Sequence, residues 1–436
     1  DSVEAFAPSP TGLTAEAWDA LIDGTGRIND GLALFQRVLG GGVHESIRRD
    51  VWPVLLGCYP PEATREQAAD AVTAAAADLK SLTSIVGTAD AADRFAEGGA
   101  DEQLSVALRR IGLDVDRTDP TLLSGDDRDV FMERLARLLG AYAIKDPHIG
   151  YCQGMSDLLA PFVIMYDDDD GRAFMCFSAL MTRVRGSFAP GQAALFAQMT
   201  QVVQLVRSAD AQLGAHLAAI GADDGVWAFR MLLVMLRRET SMDGTLAFWE
   251  VLWAGQALFG GSQAALLPAA VAAFVVKEKA RVLAFADATE LLEMCNGARE
   301  LNGPALVLAA LAGGMLDASR SRGRQRRANP VAAPTKSSTV LRSLFRPRKS
   351  AAVHPTTNKL VPTPSKRTEA SEASAVRSVD VVSPTAGLWG ACLHLGGLST
   401  PAATAKATPT PWRRRRASVA GTQPQAAWRR DNLSAR

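Results

Sequence analysis

The stretch RDVFMERLARLLGAY, at residues 128–142, decides the fold. Its apolar residues recur at the spacing of one buried helix face: Phe131, Leu135, Leu138, Leu139 and Tyr142. Helical spacing of the same kind returns in seven other segments: residues 63–83, 172–185, 193–217, 225–236, 245–258, 264–285 and 288–298. Alternating strand patterns are rare, so the sequence predicts an all-α fold.

Charge divides the chain into two parts. The 436 residues include 47 Lys and Arg against 46 Asp and Glu, a net charge of +1. Residues 317–436 alone carry +17 and half of the 22 prolines, which leaves −16 for residues 1–316. We therefore predict an N-terminal extension at 1–12, a helical body at 13–316 built as one large or two smaller domains, and a disordered Pro/Ser/Arg-rich tail at 317–436.

Several classes of protein are excluded by what the sequence lacks. It has no run of 18 apolar residues and no signal-peptide pattern at its start, which argues against a membrane span or secretion. The five cysteines form no CxxC pair, so we expect reduced thiols and a cytoplasmic protein rather than a disulfide framework or a zinc module. No phosphate-binding glycine motif of a nucleotide-binding domain is present.

The acidic run at residues 167–170 resembles a calcium loop but does not fit one. A calcium loop of 12 residues has glycine at position 6, and aligning Gly171 there puts Tyr166 at position 1 and Phe177 at position 12. Calcium needs carboxylates at both of these positions. We interpret the run instead as negative charge before the positive N-terminal end of a helix that starts near Arg172. The sequence predicts no metal site.

Three polar clusters interrupt the apolar segments. Residues 47–57, IRRDVWPVLLG, read as a core helix with an exposed basic edge, ended by a glycine. Residues 111–118, IGLDVDRT, put an aspartate and an arginine three positions apart, where they can pair on a helical turn. Residues 151–158, YCQGMSDL, put a glutamine on a loop before an apolar helix, from which it can project outward.

Each cluster alone has an ordinary explanation. Most arginines are solvated, a lone Gln-Gly is usually a turn, and a lone tryptophan is usually core. Together they place a fixed arginine and an outward glutamine on a helical body without a phosphate cradle of its own. Those two side chains are the ones that GTP hydrolysis requires, a cation for the developing phosphate charge and a carboxamide that orients water.

In this order, the clusters resemble the motifs of the TBC domain, the all-helical family of Rab GTPase-activating proteins. The matching patterns are Arg-x-x-Val-Trp-x-x-Leu-Leu-Gly, Ile-x-x-Asp-x-x-Arg-Thr and Tyr-x-Gln-Gly-Met, and the resemblance extends over residues 13–316. It implies that the chain accelerates GTP hydrolysis by a Rab-family GTPase in vesicle trafficking. The partner would bring GTP and Mg²⁺, and the chain would need no cofactor of its own.

The resemblance also implies roles for single residues. Arg117 matches the family's arginine finger, and Gln153 matches its glutamine finger, which replaces the GTPase's own glutamine. The supporting positions are Asp114, which would hold Arg117, Tyr151 and Gly154, which would shape the glutamine loop, and Arg48 and Trp52. Pro120 departs from the family pattern close to the finger, where it would alter loop geometry or the choice of Rab.

Two other functions stay open at this point. The first is a scaffold: a TBC module without catalytic activity would bind a Rab and hold other proteins beside it. The basic tail, with Trp412 followed by four arginines, would bind anionic lipid or nucleic acid through its charge. For a regulator of vesicles we favour peripheral contact with endomembranes over nucleic acid.

Overall fold

The computed structural model describes residues 12–86, 102–119, 123–259 and 266–315. Within these ranges the chain forms helices, one 3₁₀-helix at Val226–Ala228 and two isolated bridges, with no strand. The helices are α1 (Ala15–Leu21), α2 (Gly31–Gly41), α3 (Arg48–Leu55), α4 (Arg65–Val86), α5 (Glu102–Val115), α6 (Asp126–Lys145), α7 (Met155–Met165), α8 (Asp170–Phe188), α9 (Ala193–Ala209), α10 (Ala211–Ala219), α11 (Phe229–Leu233), α12 (Met242–Phe259), α13 (Leu266–Lys277), α14 (Lys279–Val282), α15 (Ala288–Gly297) and α16 (Gly303–Ala312).

The predicted all-α fold is confirmed for the described residues. No helix among them is both long and apolar enough to cross a bilayer. The predicted tail at 317–436, residues 1–11 of the predicted N-terminal extension, and Pro120 lie outside the described residues.

Helix α6 corresponds to the helix predicted from residues 128–142 and is longer than predicted at both ends. All five apolar residues of its predicted face are buried: Phe131, Leu135, Leu138, Leu139 and Tyr142. Asp126, Asp127 and Asp129 fill its first turn, where carboxylates complement the positive end of the helix. The helix packs against α4, α5 and α7, so it supports the helix that precedes Arg117 and the helix that follows Gln153.

Three of the predicted helices are each divided in the structure. The segment at 193–217 forms α9 and α10, which meet at Asp210, whose side chain accepts a hydrogen bond from the Leu213 amide and caps α10. A capping aspartate offers the backbone an alternative to continuing the helix, and periodicity does not reveal it. Residues 264–285 likewise form α13 and α14, and 225–236 form a 3₁₀-helix and α11 before turning at Met235 and Leu236, both with positive φ.

The centre of the core is an aromatic cluster around Trp52. Its ring lies 5.3 Å from Phe162 of α7 and 4.7 Å from Trp253 of α12, both edge to face. Trp249 of α12 lies 6.5 Å away. Edge-to-face pairs at these distances add about 0.5–1.5 kcal/mol beyond the area they bury. The cluster therefore ties α3, α7 and α12 together.

The acidic run before α8 acts as the sequence predicted. The Asp169 side chain accepts from the Arg172 amide and caps the helix, while Asp170 pairs with Arg134 of α6 at 2.7 Å. Asp168 pairs with Arg49 of α3. Arginines thus neutralise these carboxylates, and no cluster of metal-binding side chains occurs among the residues that the structure describes.

Candidate functional site

Arg117 lies in the turn that directly follows α5. Its backbone amide donates to the Asp114 carbonyl at 3.3 Å, and its Nη2 donates to Asp114 Oδ1 at 2.6 Å. The two side chains differ in exposure, with 43% of Arg117 and 9% of Asp114 accessible to solvent. The predicted ion pair is confirmed, and it fixes one edge of the guanidinium while the rest of the group faces outward.

The second oxygen of Asp114 binds the neighbouring motif. The Tyr151 hydroxyl donates to Asp114 Oδ2 at 2.7 Å, and Tyr151 is buried. Burial raises the pKa of Tyr151 well above its ordinary value, and the charge of Asp114 raises it further, so the hydroxyl stays a donor at neutral pH. One carboxylate therefore joins the arginine turn to the loop that carries Gln153, two residues after Tyr151 and at most about 7 Å further along the backbone.

A second contact joins the same two segments. Thr118 Oγ1 donates to the Asp114 carbonyl at 2.8 Å and lies 2.9 Å from Ser156 Oγ, in the first turn of α7. Both hydroxyls are buried. The turn that holds Arg117 is thus attached to α7 at Ser156 as well as to the loop before it at Tyr151.

Gly154 sets the path of the glutamine loop. It precedes α7 with φ +100°, a conformation that side chains disfavour, and a Cβ there would lie 3.1 Å from Val234 Cγ1. Glycine at 154 therefore lets the chain pass close over the turn after α11 in this backbone conformation. Gln153 is half-buried, and its carboxamide makes no hydrogen bond to any described residue.

Two arginines that the sequence did not single out hold the segment after Arg117. Arg128 of α6 donates to the carbonyls of Asp116, Thr118 and Asp119. Arg237 Nη2 donates to Asp119 Oδ1 at 2.6 Å. Burial raises the pKa of Asp119, with Arg237 opposing the shift, and the residue has φ +46° in the left-handed region. The turn is held in a strained form by partners on two other elements.

A third arginine anchors the start of α7. Arg238 donates through Nε and Nη2 to the two oxygens of Asp157, each at 2.9 Å. This two-bond geometry fixes direction as well as distance. Because Asp157 follows Ser156 in the first turn of α7, the adjacent pair Arg237 and Arg238 holds both sides of the site, the arginine turn and the helix after the glutamine loop.

Arg48 and Trp52 meet at a different carboxylate. Arg48 Nε donates to Glu250 Oε1 at 2.5 Å and Trp52 Nε1 donates to the same oxygen at 2.8 Å, while the Val43 amide donates to Oε2 at 2.9 Å. Burial raises the pKa of Glu250, and Arg48 opposes the shift. Arg48 is only 17% exposed, so its predicted place on an exposed basic edge is wrong. Trp52 is connected to the site only indirectly, by the contact of its ring with Phe162 of α7, the helix that follows the glutamine loop.

Residues 45–282, more than half of the chain, match the Rab-GTPase-TBC domain family. The chain belongs to this family. It is 39% identical over 185 residues to Rab GTPase-activating protein 22 of Arabidopsis thaliana. The aligned region covers 39% of this chain and 34% of that protein. It is 30% identical over 255 residues to TBC1 domain family member 25 of Homo sapiens, covering 58% and 35% respectively. The chain thus spans about a third of the length of these relatives.

The fold of this TBC domain has a match among solved structures. The crystal structure of the Ypt/Rab-GAP domain of Gyp1p superposes with a TM-score of 0.58, at 20% identity, and the match covers 69% of this chain and 97% of that one. At this level of identity the likeness concerns the fold.

The predicted site residues of this TBC domain fall into two groups. Asp114, Arg117 and Tyr151 are in direct contact, and Gln153 follows in the same loop. Arg48 and Trp52 form the other group, around Glu250. The ion pair of Asp119 with Arg237 was not predicted from the sequence, because the two residues lie 118 positions apart. The one sequence feature that pointed to it is the pair of adjacent arginines, 237 and 238, in an apolar segment.

Proposed function

We propose that this chain is a GTPase-activating protein for a Rab-family GTPase in its GTP state. The observation that carries the proposal is the Asp114 carboxylate, which holds Arg117 at 2.6 Å and Tyr151 at 2.7 Å in a chain of the Rab-GTPase-TBC family. The names of two relatives, Rab GTPase-activating protein 22 and the GTPase-activating protein GYP7 of Candida glabrata, support the same activity.

In this proposal Arg117 stabilises the transition state. Negative charge builds up on the phosphate oxygens as the bond to the γ-phosphate breaks, and a guanidinium supplied by a partner protein accelerates the step by about 10³–10⁵. The pair with Asp114 fixes the guanidinium before the GTPase arrives, so less conformational entropy is lost on reaching the reactive geometry. The exposed part of Arg117 leaves N–H donors for phosphate.

Gln153 takes the second role in the proposal. A carboxamide carries both a carbonyl acceptor and N–H donors, so one group can accept a hydrogen bond from the attacking water and donate another. The Gln153 carboxamide makes no hydrogen bond to a described residue. Gly154 and Tyr151 fix the backbone on either side of Gln153. GTP and Mg²⁺ come with the partner in this mechanism, and the cellular setting is control of vesicle traffic.

Single-turnover GTP hydrolysis across a panel of purified Rab proteins tests the proposal. We expect wild type to accelerate hydrolysis by at least one Rab, and Arg117→Ala and Gln153→Ala to lose most of that acceleration, the first by about 10³ or more. Matched controls are Arg37→Ala and Gln36→Ala, two exposed residues of α2, which should leave the rate unchanged. Wild type no faster than Arg117→Ala on every Rab would contradict the proposal. GTP-dependent Rab binding without acceleration would favour the scaffold alternative.

We also propose that residues 317–436 contact anionic membrane. Their charge of +17 supports this, because each basic residue near an acidic bilayer surface contributes about 1 kcal/mol. The chain would then work in the cytoplasm and at the surface of endomembranes. The full chain should float with phosphatidylserine vesicles and lose that binding in 0.5 M salt, and residues 1–316 should not float. Equal flotation of both would contradict a role for the tail.

A further inference from the structure

One face of α5 continues into the arginine finger turn. Arg110, Leu113 and Arg117 are spaced three and four positions apart, so they lie on the same side of the helix and its following turn. We call these three residues the α5 ridge. All three side chains are exposed, whereas Ile111 and Val115 on the opposite side are buried, and Asp114 is buried beside the ridge in contact with Arg117.

Leu113 stands out on this ridge. It is 73% exposed, more than any other large apolar side chain in the described part of the chain; Leu32 of α2 comes next at 61%. A single exposed leucine is normal on a protein surface. The position of Leu113 is unusual because it lies one turn before the proposed catalytic arginine.

The direction of the ridge is fixed by its neighbour. Asp114 follows Leu113 directly, and its two oxygens are held by Arg117 and Tyr151. Any rotation of the helix end that turned Leu113 inward would break both of these buried or half-buried contacts. The helix end therefore points the leucine outward in the free protein, and binding does not have to reorient this part of the backbone.

Arginines flank this apolar side chain on both sides along the ridge, with one exposed carboxylate, Asp116, beside them. Arg109 and Arg110 are exposed and form no ion pair with any described residue, and Arg117 follows one turn later. Arg110 also lies near the glutamine loop, since its positive charge lowers the pKa of Cys152 against the effect of burial. An exposed apolar group flanked by arginines is typical of a protein interface, where arginine is enriched.

We propose that the α5 ridge is part of the surface that binds the GTPase, with Leu113 inserted in an apolar depression of the GTPase beside its nucleotide pocket. In this arrangement Leu113 sets the affinity for the GTPase rather than the rate of the chemical step. This inference rests on the function proposed above. Four helical residues rise only about 6 Å, so a GTPase that brings its phosphates to Arg117 must cover Leu113 with the rim of the same pocket.

Steady-state hydrolysis with Leu113→Ser, Leu113→Met and Leu32→Ser tests the proposal. The substrate is the GTP-loaded Rab on which wild type is most active. We expect Leu113→Ser to raise the KM for that Rab about tenfold or more, the loss from exposing one buried leucine, with kcat within about twofold of wild type. Leu113→Met keeps the apolar volume and should stay near wild type, and Leu32→Ser, which changes the next most exposed leucine, on α2, should change neither constant.

Two results would overturn the inference alone. One is wild-type activity on a Rab together with an unchanged KM and an unchanged kcat for Leu113→Ser. The other is a fall in kcat with an unchanged KM, which would assign Leu113 to positioning of the finger. Wild type without activity on any Rab would instead remove the proposed function and this inference with it. Because Leu113 is exposed, Leu113→Ser should unfold at the wild-type temperature, which confirms that the change in KM is not a folding defect.

Discussion

Asp114 divides its two carboxylate oxygens between Arg117, three residues away, and Tyr151, 37 residues away. The first contact could be predicted from the sequence, because positions i and i+3 meet on a helical turn. The second could not, since nothing in a single sequence says which buried tyrosine reaches which carboxylate. The family resemblance placed the two segments in one site, and the structure adds the atom that joins them.

Gly154 gives a prediction at the same scale. Gly154→Ala should lower the free energy of unfolding by about 2 kcal/mol or more, because alanine at positive φ costs about 1–2 kcal/mol and its Cβ would also press on Val234 at 3.1 Å. We expect the displaced loop to lower kcat as well, through Gln153. Urea denaturation and Rab-stimulated GTP hydrolysis measure the two effects.

Gly191→Ala is the matched control for this substitution. Gly191 also has positive φ, at +79°, but an added Cβ there would meet nothing within 4 Å. It should lose only the conformational part, about 1–2 kcal/mol, and keep full activity. Equal losses of stability and equal activity in the two variants would show that contact with Val234 does not shape the glutamine loop.

At the scale of elements, the loop between α6 and α7 is anchored before it reaches Tyr151. Asp146 ends α6, and Arg185 of α8 donates to its two oxygens at 2.8 and 3.0 Å. The sequence predicted both helices from their periodicity but not this link between them. It also predicted 193–217 as one helix, because the cap at Asp210 that divides it is a local competition that periodicity does not register.

The Asp146 contact makes stability depend on pH in a stated direction. The hydrogen bonds from Arg185 hold the pKa of Asp146 below its ordinary value in the folded protein. A lowered folded pKa contributes stability that is complete above the unfolded pKa of about 3.9 and is lost as pH falls through the folded pKa. The difference in free energy of unfolding between wild type and Asp146→Asn should therefore be constant from pH 5 to 7 and shrink below about pH 4.

Denaturation of both proteins across pH 3–7 measures this difference. In an Arg185→Met background the same substitution should show a much weaker dependence on pH, because the largest cause of the lowered pKa of Asp146 has been removed. A difference that grows as the pH falls, or one that is unaffected by Arg185→Met, would assign the lowered pKa to something other than this pair.

At the scale of the whole molecule, the parts of the site come from distant stretches of sequence. The all-α class, the three clusters and the order of their motifs could be predicted, and the family match over residues 45–282 confirms the resemblance. The contacts of Arg237 with Asp119 and of Arg238 with Asp157 span 118 and 81 residues, and long-range pairs of this kind depend on how distant segments pack rather than on any local pattern. The boundaries 13–316 stay a prediction.

The central claim is that this chain supplies both groups for hydrolysis, and a Rab that lacks its own catalytic glutamine tests it most directly. The measurement is single-turnover GTP hydrolysis by a responsive Rab and by its Gln→Leu variant, each with wild type and with Gln153→Ala. The account predicts that wild type accelerates both Rab proteins to within about tenfold of each other and that Gln153→Ala accelerates neither. Acceleration of the unmodified Rab alone, equal for wild type and Gln153→Ala, would contradict it.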